Sequence, residues 1–173
     1  MLALLRGLPG TERLYLSTSG DVWSLAKACA YEAGGGAAPR ASAGRSTDGV
    51  QIPRARAVGQ SWITTPFTLA WSILFCVWHL GLAPLWRHAR RGDRLPFADV
   101  LLMNGPATCV PIGLVIRALR VAGIPTPRIV YIESFARVNS LSLTGKVMKH
   151  LADRFAVQWR TADGDAAYYG ILV

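Results

Sequence analysis

Polar residues follow three apolar segments of strand length, and these are the residues of the chain best placed to do chemistry. The groups are Asn104-Gly105-Pro106 after Asp99 to Met103, Glu133-Ser134 after Arg128 to Ile132, and Gln158-Trp159 at the end of Phe155 to Trp159. In parallel α/β folds, ligands bind at the carboxyl ends of the strands. The sequence therefore predicts one ligand-binding edge at which these groups meet.

The first of these groups opens the turn Asn104-Gly105-Pro106-Ala107-Thr108, which leads from a strand end into a helix start. Backbone N–H groups at a helix start suit an anionic or sugar ligand. A single glycine does not make a phosphate loop, so a purely structural turn is the common alternative. The turn alone leaves both interpretations open.

Glu133 stands where an apolar strand ends, and the pattern fits a base, a carboxylate that binds hydroxyls, or a surface residue equally well. Arg137 and Lys146 are suited to pairing with a phosphate, although a solvated basic face is the ordinary explanation. The sequence contains no Ser-His-Asp grouping, no metal-binding cluster and no GxGxxG motif. We therefore predict neither a metal site nor a cofactor.

The second half of the chain alternates between strand-like and helix-like segments. The predicted strands are 99–103, 128–132 and 155–159, and the predicted helices are 108–122 and 143–151. Gly123, Pro125 and Pro127 end the first helix, and Ser142 or Thr144 caps the second. This order predicts an α/β fold with a Rossmann-like, mostly parallel sheet.

The first half of the chain gives weaker signals. We expect a strand over 13–17, a helix over 22–32 and a brief strand over 50–53. Gly34 to Gly49 is rich in Gly, Ala, Ser and Arg and is predicted to be a flexible loop. At 173 residues, the chain is predicted to form one domain, 1–173.

An apolar run from Ser61 to Trp86 contains no Lys, Arg, Asp or Glu. It holds Trp62, Trp71, Trp78 and Trp86, and the arginines that follow it are Arg87, Arg90, Arg91 and Arg94. About 20 apolar residues can span a bilayer, but internal prolines and scattered tryptophans favour a helix that is partly buried and partly in the membrane interface. We rank the interfacial helix first and a spanning helix second. The arginines then lie at the lipid phosphates, with a solvated basic loop as the alternative.

The charge and the cysteines narrow the classes of partner. The net charge is +9, carried by 16 Arg and 3 Lys, and 51% of the residues are hydrophobic. Such a chain suits nucleic acid or anionic lipid, and charge alone does not choose between them. The three cysteines are scattered and have no His cluster beside them, so they give neither a disulfide framework nor a zinc site.

Several segments resemble one protein family. They are Ile52 to Trp62 (IPRARAVGQSW), Leu102 to Pro111 (LMNGPATCVP), Ile129 to Trp159 (IVYIESFARVNSLSLTGKVMKHLADRFAVQW) and the ending Tyr169 to Val173 (YGILV). Together they are similar to the membrane-anchoring subunit of the UDP-N-acetylglucosamine transferase of asparagine-linked glycosylation, the asparagine-linked glycosylation protein 14 family. The resemblance covers nearly the whole chain apart from Gly34 to Gly49.

The resemblance implies an activity that needs two chains. A soluble subunit binds the sugar nucleotide, and this subunit recruits it to the membrane and holds the lipid-linked acceptor. The pair adds the second GlcNAc from UDP-GlcNAc to GlcNAc-diphosphodolichol on the cytosolic face of the endoplasmic reticulum. The fold implied is the N-terminal, acceptor-binding half of a GT-B glycosyltransferase, inactive alone.

The resemblance also assigns residues. Those expected to bind the acceptor and its phosphates are Asn104, Gly105, Pro106, Thr108, Ser134, Arg137 and Lys146, with Glu133 as the best candidate base. The residues expected to dock the soluble partner are Tyr169, Gly170, Ile171, Leu172 and Val173. The membrane residues are the tryptophans and arginines of the apolar run named above.

The start of the chain departs from the family pattern. Family members begin with a hydrophobic anchor, a first strand and a glycine-rich turn that contains a His, and Met1 to Leu5 matches only the helix that follows them. We expect a start that is truncated or misassigned, and a sheet that lacks its first strand. By analogy, the His of that turn would be a leading candidate for the base.

Two rival functions remain at this point. A membrane scaffold that recruits a partner without touching substrate is the closest alternative. A nucleic-acid-binding protein gains from the charge of +9, but the chain has no recognised RNA or DNA motif. We therefore expect lipid, and not nucleic acid, to be the partner of the basic surface.

Overall fold

The structure is a computed structural model, and it describes residues 15–19, 23, 26–27, 30, 50–55, 64–92, 95–104, 107–160, 166–168 and 170. The chain divides into two compact units, Met1–Pro53 with Leu172–Val173, and Arg54–Ile171. The single domain over 1–173 stays a prediction, and the predicted loop 34–49 lies outside the described residues.

In the smaller unit, two short strands pair in parallel. Strand β1 (Leu16–Thr18) lies beside β2 (Val50–Ile52), with Leu16 opposite Val50. The backbone N–H of Ser19 donates to the carbonyl of Ile52 over 2.8 Å and extends the pairing. Residues 23, 26, 27 and 30 are helical, in agreement with the helix predicted over 22–32.

The larger unit begins with one long, continuous helix, Thr65–Arg91. It consists of α1 (Thr65–Cys76), a π-helical segment (Val77–Leu82) and α2 (Ala83–Arg91). Pro66 lies in the first turn, where its missing N–H costs nothing. Pro84 lies inside the helix, and the π-helical segment just before it loosens the turn that a proline ring would otherwise strain. The apolar run is thus helical as predicted, with residues 61–63 outside the described part.

The sheet of the larger unit is entirely parallel. Its strands are β3 (Val100–Asn104), β4 (Arg128–Ile132), β5 (Arg154–Val157) and β6 (Ala167–Tyr168), in the order β3-β4-β5-β6. The predicted α/β class and parallel sheet are therefore confirmed. β5 ends two residues earlier than predicted. Beyond its end, the Gln158 side chain donates to the Glu133 carbonyl over 2.9 Å. β6 is too short to show in the sequence pattern.

Helices α3 (Cys109–Val121) and α4 (Leu143–Leu151) connect the strands. α3 buries Ile112, Val115 and Ile116, one face of a 3.6-residue repeat. Each such burial is worth about 1.5–3 kcal/mol. Gly123 ends α3 with φ at 77°, and the N–H of Ile124 donates to Leu119, as the sequence predicted for this glycine. The core thus lies between the sheet and these two helices.

Candidate functional site at the carboxyl edge of the sheet

Parallel pairing brings the carboxyl ends of β3 and β4 to one edge, where Asn104 lies opposite Ile132. Helix α3 begins soon after β3 with Thr108 as its N-cap, and α4 begins after a longer connection from β4 with Ser142 as its N-cap. Thr108 is buried and Asn104 is half-buried. Gly105 and Pro106, which complete the predicted turn, lie outside the described residues. The edge therefore carries two helix N-termini, the arrangement that binds anions in other proteins.

Glu133 is almost fully buried, with 1% of its surface exposed. Its Oε1 accepts from the N–H of Ser134 over 2.8 Å. The Ser142 hydroxyl lies 3.0 and 3.1 Å from its two carboxylate oxygens, and the Ser142 N–H donates to Oε2 over 3.3 Å. A buried carboxylate is stable only with such donors. Glu133 thus ties the end of β4 to the start of α4.

Ser142 links the carboxylate to the helix. Its hydroxyl oxygen accepts from the N–H of Gly145 over 2.8 Å, the usual N-cap hydrogen bond. This confirms Ser142, one of the two caps predicted from the sequence. The positive end of the α4 dipole then adds to the stabilisation of the Glu133 charge.

Gly145 leaves the space that the carboxylate occupies. A Cβ added at this position would overlap Oε2 of Glu133. Any other residue would have to displace either the carboxylate or the first turn of α4. The close approach of helix and carboxylate therefore requires glycine here.

Tyr131 lies in β4, two residues before Glu133, and is fully buried. Its hydroxyl has no hydrogen-bond partner of good geometry among the described residues. Burial raises the pKa of Tyr131, and the negative charge of Glu133 raises it further. The phenol therefore stays neutral at physiological pH.

Cys109, the first residue of α3, is also buried. Burial, and then the charge of Glu133, raise the pKa of its thiol to about 12. A thiol with so high a pKa is not a nucleophile. Cys109 therefore has a packing role at this edge.

The basic residues of the site lie on the connection between β4 and α4 and in the first turn of α4. Arg137 stands in a turn closed by its own N–H, which donates to the Ser134 carbonyl over 3.0 Å. Lys146 lies in the first turn of α4, where its N–H donates to Ser142 over 2.9 Å. Both side chains are exposed, whereas Ser134 is half-buried. The predicted Arg137 and Lys146 therefore lie between the end of β4 and the first turn of α4, with their side chains open to solvent.

Exposed apolar side chains surround the same connection. They are Phe135, Val138, Leu143 and Val147. Phe135 contacts the ring of Trp159, whose Nε1–H donates to the Phe135 carbonyl over 2.8 Å. Cationic and apolar groups therefore occur together here, which suits an amphiphilic ligand.

Sequence reasoning missed Tyr131, Gly145 and the inward role of Gln158. The strand alternation would have placed Tyr131 beside Glu133, but nothing in the sequence signals the contact between Gly145 and the carboxylate. Within the part of the chain that the structure describes, no three His, Cys, Asp or Glu residues are grouped to hold a metal.

The other predicted site residues are placed only in part. Of the predicted partner-docking tail, only Gly170 is described, with φ at 82°. Trp71, Trp78 and Trp86 are exposed on the long helix, and Arg87, Arg90 and Arg91 lie near its end. Trp62 and Arg94 lie outside the described residues.

The larger unit is an α/β fold with a parallel sheet, two helix N-termini near the carboxyl ends of its strands, and one long apolar helix. A family model described as "Oligosaccharide biosynthesis protein Alg14 like" matches residues 1–172. The chain belongs to the Alg14 family, as its sequence motifs indicated.

Relatives in several fungi carry the name "UDP-N-acetylglucosamine transferase subunit ALG14". The chain is 45% identical to that of Cryptococcus neoformans over 72% of this chain and 53% of the relative. It is 38% identical to that of Candida albicans over 93% and 65% of the two chains, and 32% identical to that of Aspergillus fumigatus over 93% and 89%. The chain thus spans about half to two thirds of the first two relatives. No solved structure matches it.

Proposed function

We propose that this chain is the membrane-recruiting, acceptor-binding subunit of a two-chain N-acetylglucosaminyltransferase. In this proposal, a soluble subunit binds UDP-GlcNAc, and the pair transfers the second GlcNAc to GlcNAc-diphosphodolichol in the synthesis of the N-glycan precursor. The relatives' shared name, a UDP-N-acetylglucosamine transferase subunit, supports it. The proposed location is the cytosolic face of the endoplasmic reticulum membrane, and the proposed fold is the acceptor half of a GT-B enzyme.

One observation carries the assignment of acceptor binding to this chain. The connection between β4 and α4 joins two exposed cations, Arg137 and Lys146, to a helix N-terminus and to exposed apolar side chains. These three features suit a lipid-linked sugar diphosphate, because cations and N–H donors bind its diphosphate and apolar side chains contact its lipid. The half-buried Asn104 stands on the neighbouring connection, where the acceptor sugar would meet it, whereas Thr108 beside it is buried.

The reaction places further demands on the pair of chains. A hydroxyl of the acceptor GlcNAc attacks the anomeric carbon of UDP-GlcNAc, UDP leaves, and a base takes the hydroxyl proton. Glu133 is the candidate base on sequence grounds, but its burial and its bonds to Ser134 and Ser142 favour another role. We propose that Glu133 is a positioning residue that fixes the connection from which Arg137 and Lys146 extend.

The experiment that tests the function is GlcNAc transfer by the chain reconstituted with the soluble subunit of its family. The double variant Arg137→Gln/Lys146→Gln should raise KM for the GlcNAc-diphospholipid at least tenfold, since two charge-assisted contacts are lost. KM for UDP-GlcNAc should stay unchanged.

The matched control is Arg128→Gln/Arg154→Gln, which removes the same charge from the amino ends of β4 and β5. This control should transfer GlcNAc normally. If the Arg137/Lys146 variant also transfers normally while the complex still forms, the chain is a scaffold for its partner and does not bind the acceptor at this edge.

A further inference from the structure

The long helix carries an exposed apolar stripe along one face. Its members recur every three or four residues: Phe67, Trp71, Leu74, Trp78, Leu82 and Trp86. Three of them are tryptophans more than half exposed, at 64%, 59% and 55%. A contiguous apolar surface of this kind marks a contact with a partner or a membrane.

The opposite face of the same helix is buried in the protein. The buried residues are Ser72, Cys76, Leu80, Gly81 and Pro84. Gly81 lies against α3, since a Cβ added there would come within 3.3 Å of Leu119. The protein therefore holds the helix along much of its length.

This packing bears on whether the helix crosses a bilayer. By length and hydropathy alone it qualifies, although buried core helices meet the same criteria. However, α3 would have to enter the hydrocarbon with it, and α3 carries Arg117 and Arg120. Arg120 pairs with Asp153, and Arg117 donates to the Leu151 carbonyl over 2.9 Å. Taking these groups into lipid would be costly.

The charge at the end of the helix matches an anionic lipid surface. Arg87, Arg90 and Arg91 follow the last tryptophan, and the Arg90 guanidinium lies 4.4 Å from the centre of the Trp86 ring. The sequence has no Asp or Glu between Asp48 and Asp93. Nothing acidic in this stretch would therefore oppose a negative surface.

We propose that the long helix lies in the plane of an anionic membrane, with its stripe in the interface and its arginines at the lipid phosphates. The face on α3 remains in contact with the protein. Tryptophans are enriched at the membrane–water interface, and their spread along the whole helix fits an orientation parallel to the membrane. The inference does not depend on the proposed transferase function, and its test involves no activity.

The decisive measurement is the depth of three tryptophans. In three variants of the full chain, only Trp71, Trp78 or Trp86 is kept and every other tryptophan becomes Phe. Quenching of each by phosphatidylcholine brominated at successive depths, in vesicles that also contain phosphatidylserine, should give one common, shallow depth. A spanning helix would separate Trp71 from Trp86 by about 22 Å along the bilayer normal. Unequal depths of that order would overturn the proposal.

Vesicle binding of substituted chains tests the two surfaces separately. Trp71→Gln/Trp78→Gln should lose most binding, whereas Trp23→Gln, which alters a tryptophan 79% exposed in the smaller unit, should keep it. Arg90→Gln/Arg91→Gln should weaken partitioning up to about 30-fold at low salt, on the basis of about 1 kcal/mol for each arginine. The control Arg128→Gln/Arg154→Gln should leave it nearly unchanged.

Two results would contradict the in-plane helix. The first is equal loss in the test and control variants, which would mean binding by net charge alone. The second is the absence of vesicle binding together with concentration-dependent self-association that Trp71→Gln/Trp78→Gln abolishes. The stripe would then be an interface between two copies of the chain.

Discussion

At the scale of single residues, the contact between Gly145 and Glu133 gives the sharpest prediction. Alanine normally stabilises a helix by up to about 1 kcal/mol over glycine. At position 145, however, the added Cβ would overlap the Glu133 carboxylate. We therefore expect Gly145→Ala to lower the free energy of unfolding by about 1–3 kcal/mol, as measured by urea denaturation.

The control for this substitution is Gly113→Ala, in another buried helical glycine. Its new Cβ would meet the flexible end of the Met148 side chain at 3.2 Å, which can move away. Gly113→Ala should therefore lower the free energy of unfolding by less than Gly145→Ala. A stabilising Gly145→Ala would contradict the close contact between α4 and the Glu133 carboxylate.

Comparing variants of Glu133 and Ser142 shows whether Glu133 positions the connection or acts as a base. If Glu133 positions the connection through Ser142, Glu133→Gln and Ser142→Ala should both reduce GlcNAc transfer, by up to about a hundredfold for a small displacement of the site. The pH profile of kcat should keep its shape in both. Ser142→Ala should also cost about 1 kcal/mol of stability through the lost cap.

The opposite pattern would point to direct chemistry. A Glu133→Gln variant that loses transfer and one limb of the pH profile, beside a Ser142→Ala variant of near-normal turnover, would make Glu133 the base. Matched thermal melts of the two variants would show that unfolding does not explain the difference.

Glu133 and Ser142 show which parts of the site the sequence could predict. It predicted Glu133 at a strand end and Ser142 as a cap, because both follow local rules of strand exit and helix start. It did not predict that the two bond to each other, since nine residues separate them and only the return of the chain brings them together. Burial of Tyr131 and Gln158 likewise depends on packing between elements.

At the scale of elements, Asp153 ties α3, β4 and β5 at the edge opposite the site. The carboxylate pairs with Arg120, and its Oδ2 accepts from the N–H of Ile129 over 2.8 Å. Hydrogen bonding from Arg120 is the main cause that lowers the pKa of Asp153 below its usual value of 3.8. Because the pKa of Asp153 is lower in the folded state, ionised Asp153 stabilises the fold fully above its unfolded pKa of 3.8. This stabilisation is lost as the pH falls through the folded pKa.

We therefore expect Asp153→Asn to reduce the free energy of unfolding at neutral pH by about 1 kcal/mol, a modest figure because the pair is partly solvent-exposed. The difference from the unsubstituted chain should shrink below pH 3.8. Urea denaturation across this range measures it, and a double-substitution cycle with Arg120→Gln isolates the pair. A difference independent of pH would mean that the carboxylate charge does not contribute.

Elements were predicted well where helix and strand signals agree. The bounds of β4 and α4 match the prediction, because an apolar run, a cap and flanking breakers all indicate the same ends. The π-helical segment was not predicted, since the sequence marks Pro84 but not how the backbone accommodates it. The assignment to the acceptor half of a GT-B enzyme stays a prediction.

At the scale of the whole molecule, the proposed partner interface is the next test. Ile171, Leu172 and Val173 are apolar residues that a partner would cover. Deleting residues 170–173 should abolish co-purification with the soluble subunit and leave vesicle binding intact. Replacing the exposed Leu143 by Ser serves as a control that should keep the complex. Undiminished co-purification after the deletion would place the interface elsewhere.

The π-helical segment has a consequence for how the two ends of the long helix are aligned. Residues four apart drift by about 40° per step around a regular α-helix, so a uniform helix would carry Trp86 away from the line of Phe67 and Trp71. The wider turn at Val77–Leu82 offsets that drift. Removing one residue there would turn the arginine end by about 100° relative to the first tryptophans. An insertion or deletion in the π-helical segment would therefore separate the tryptophans from the arginines around the helix axis, unless it adds or removes a whole turn.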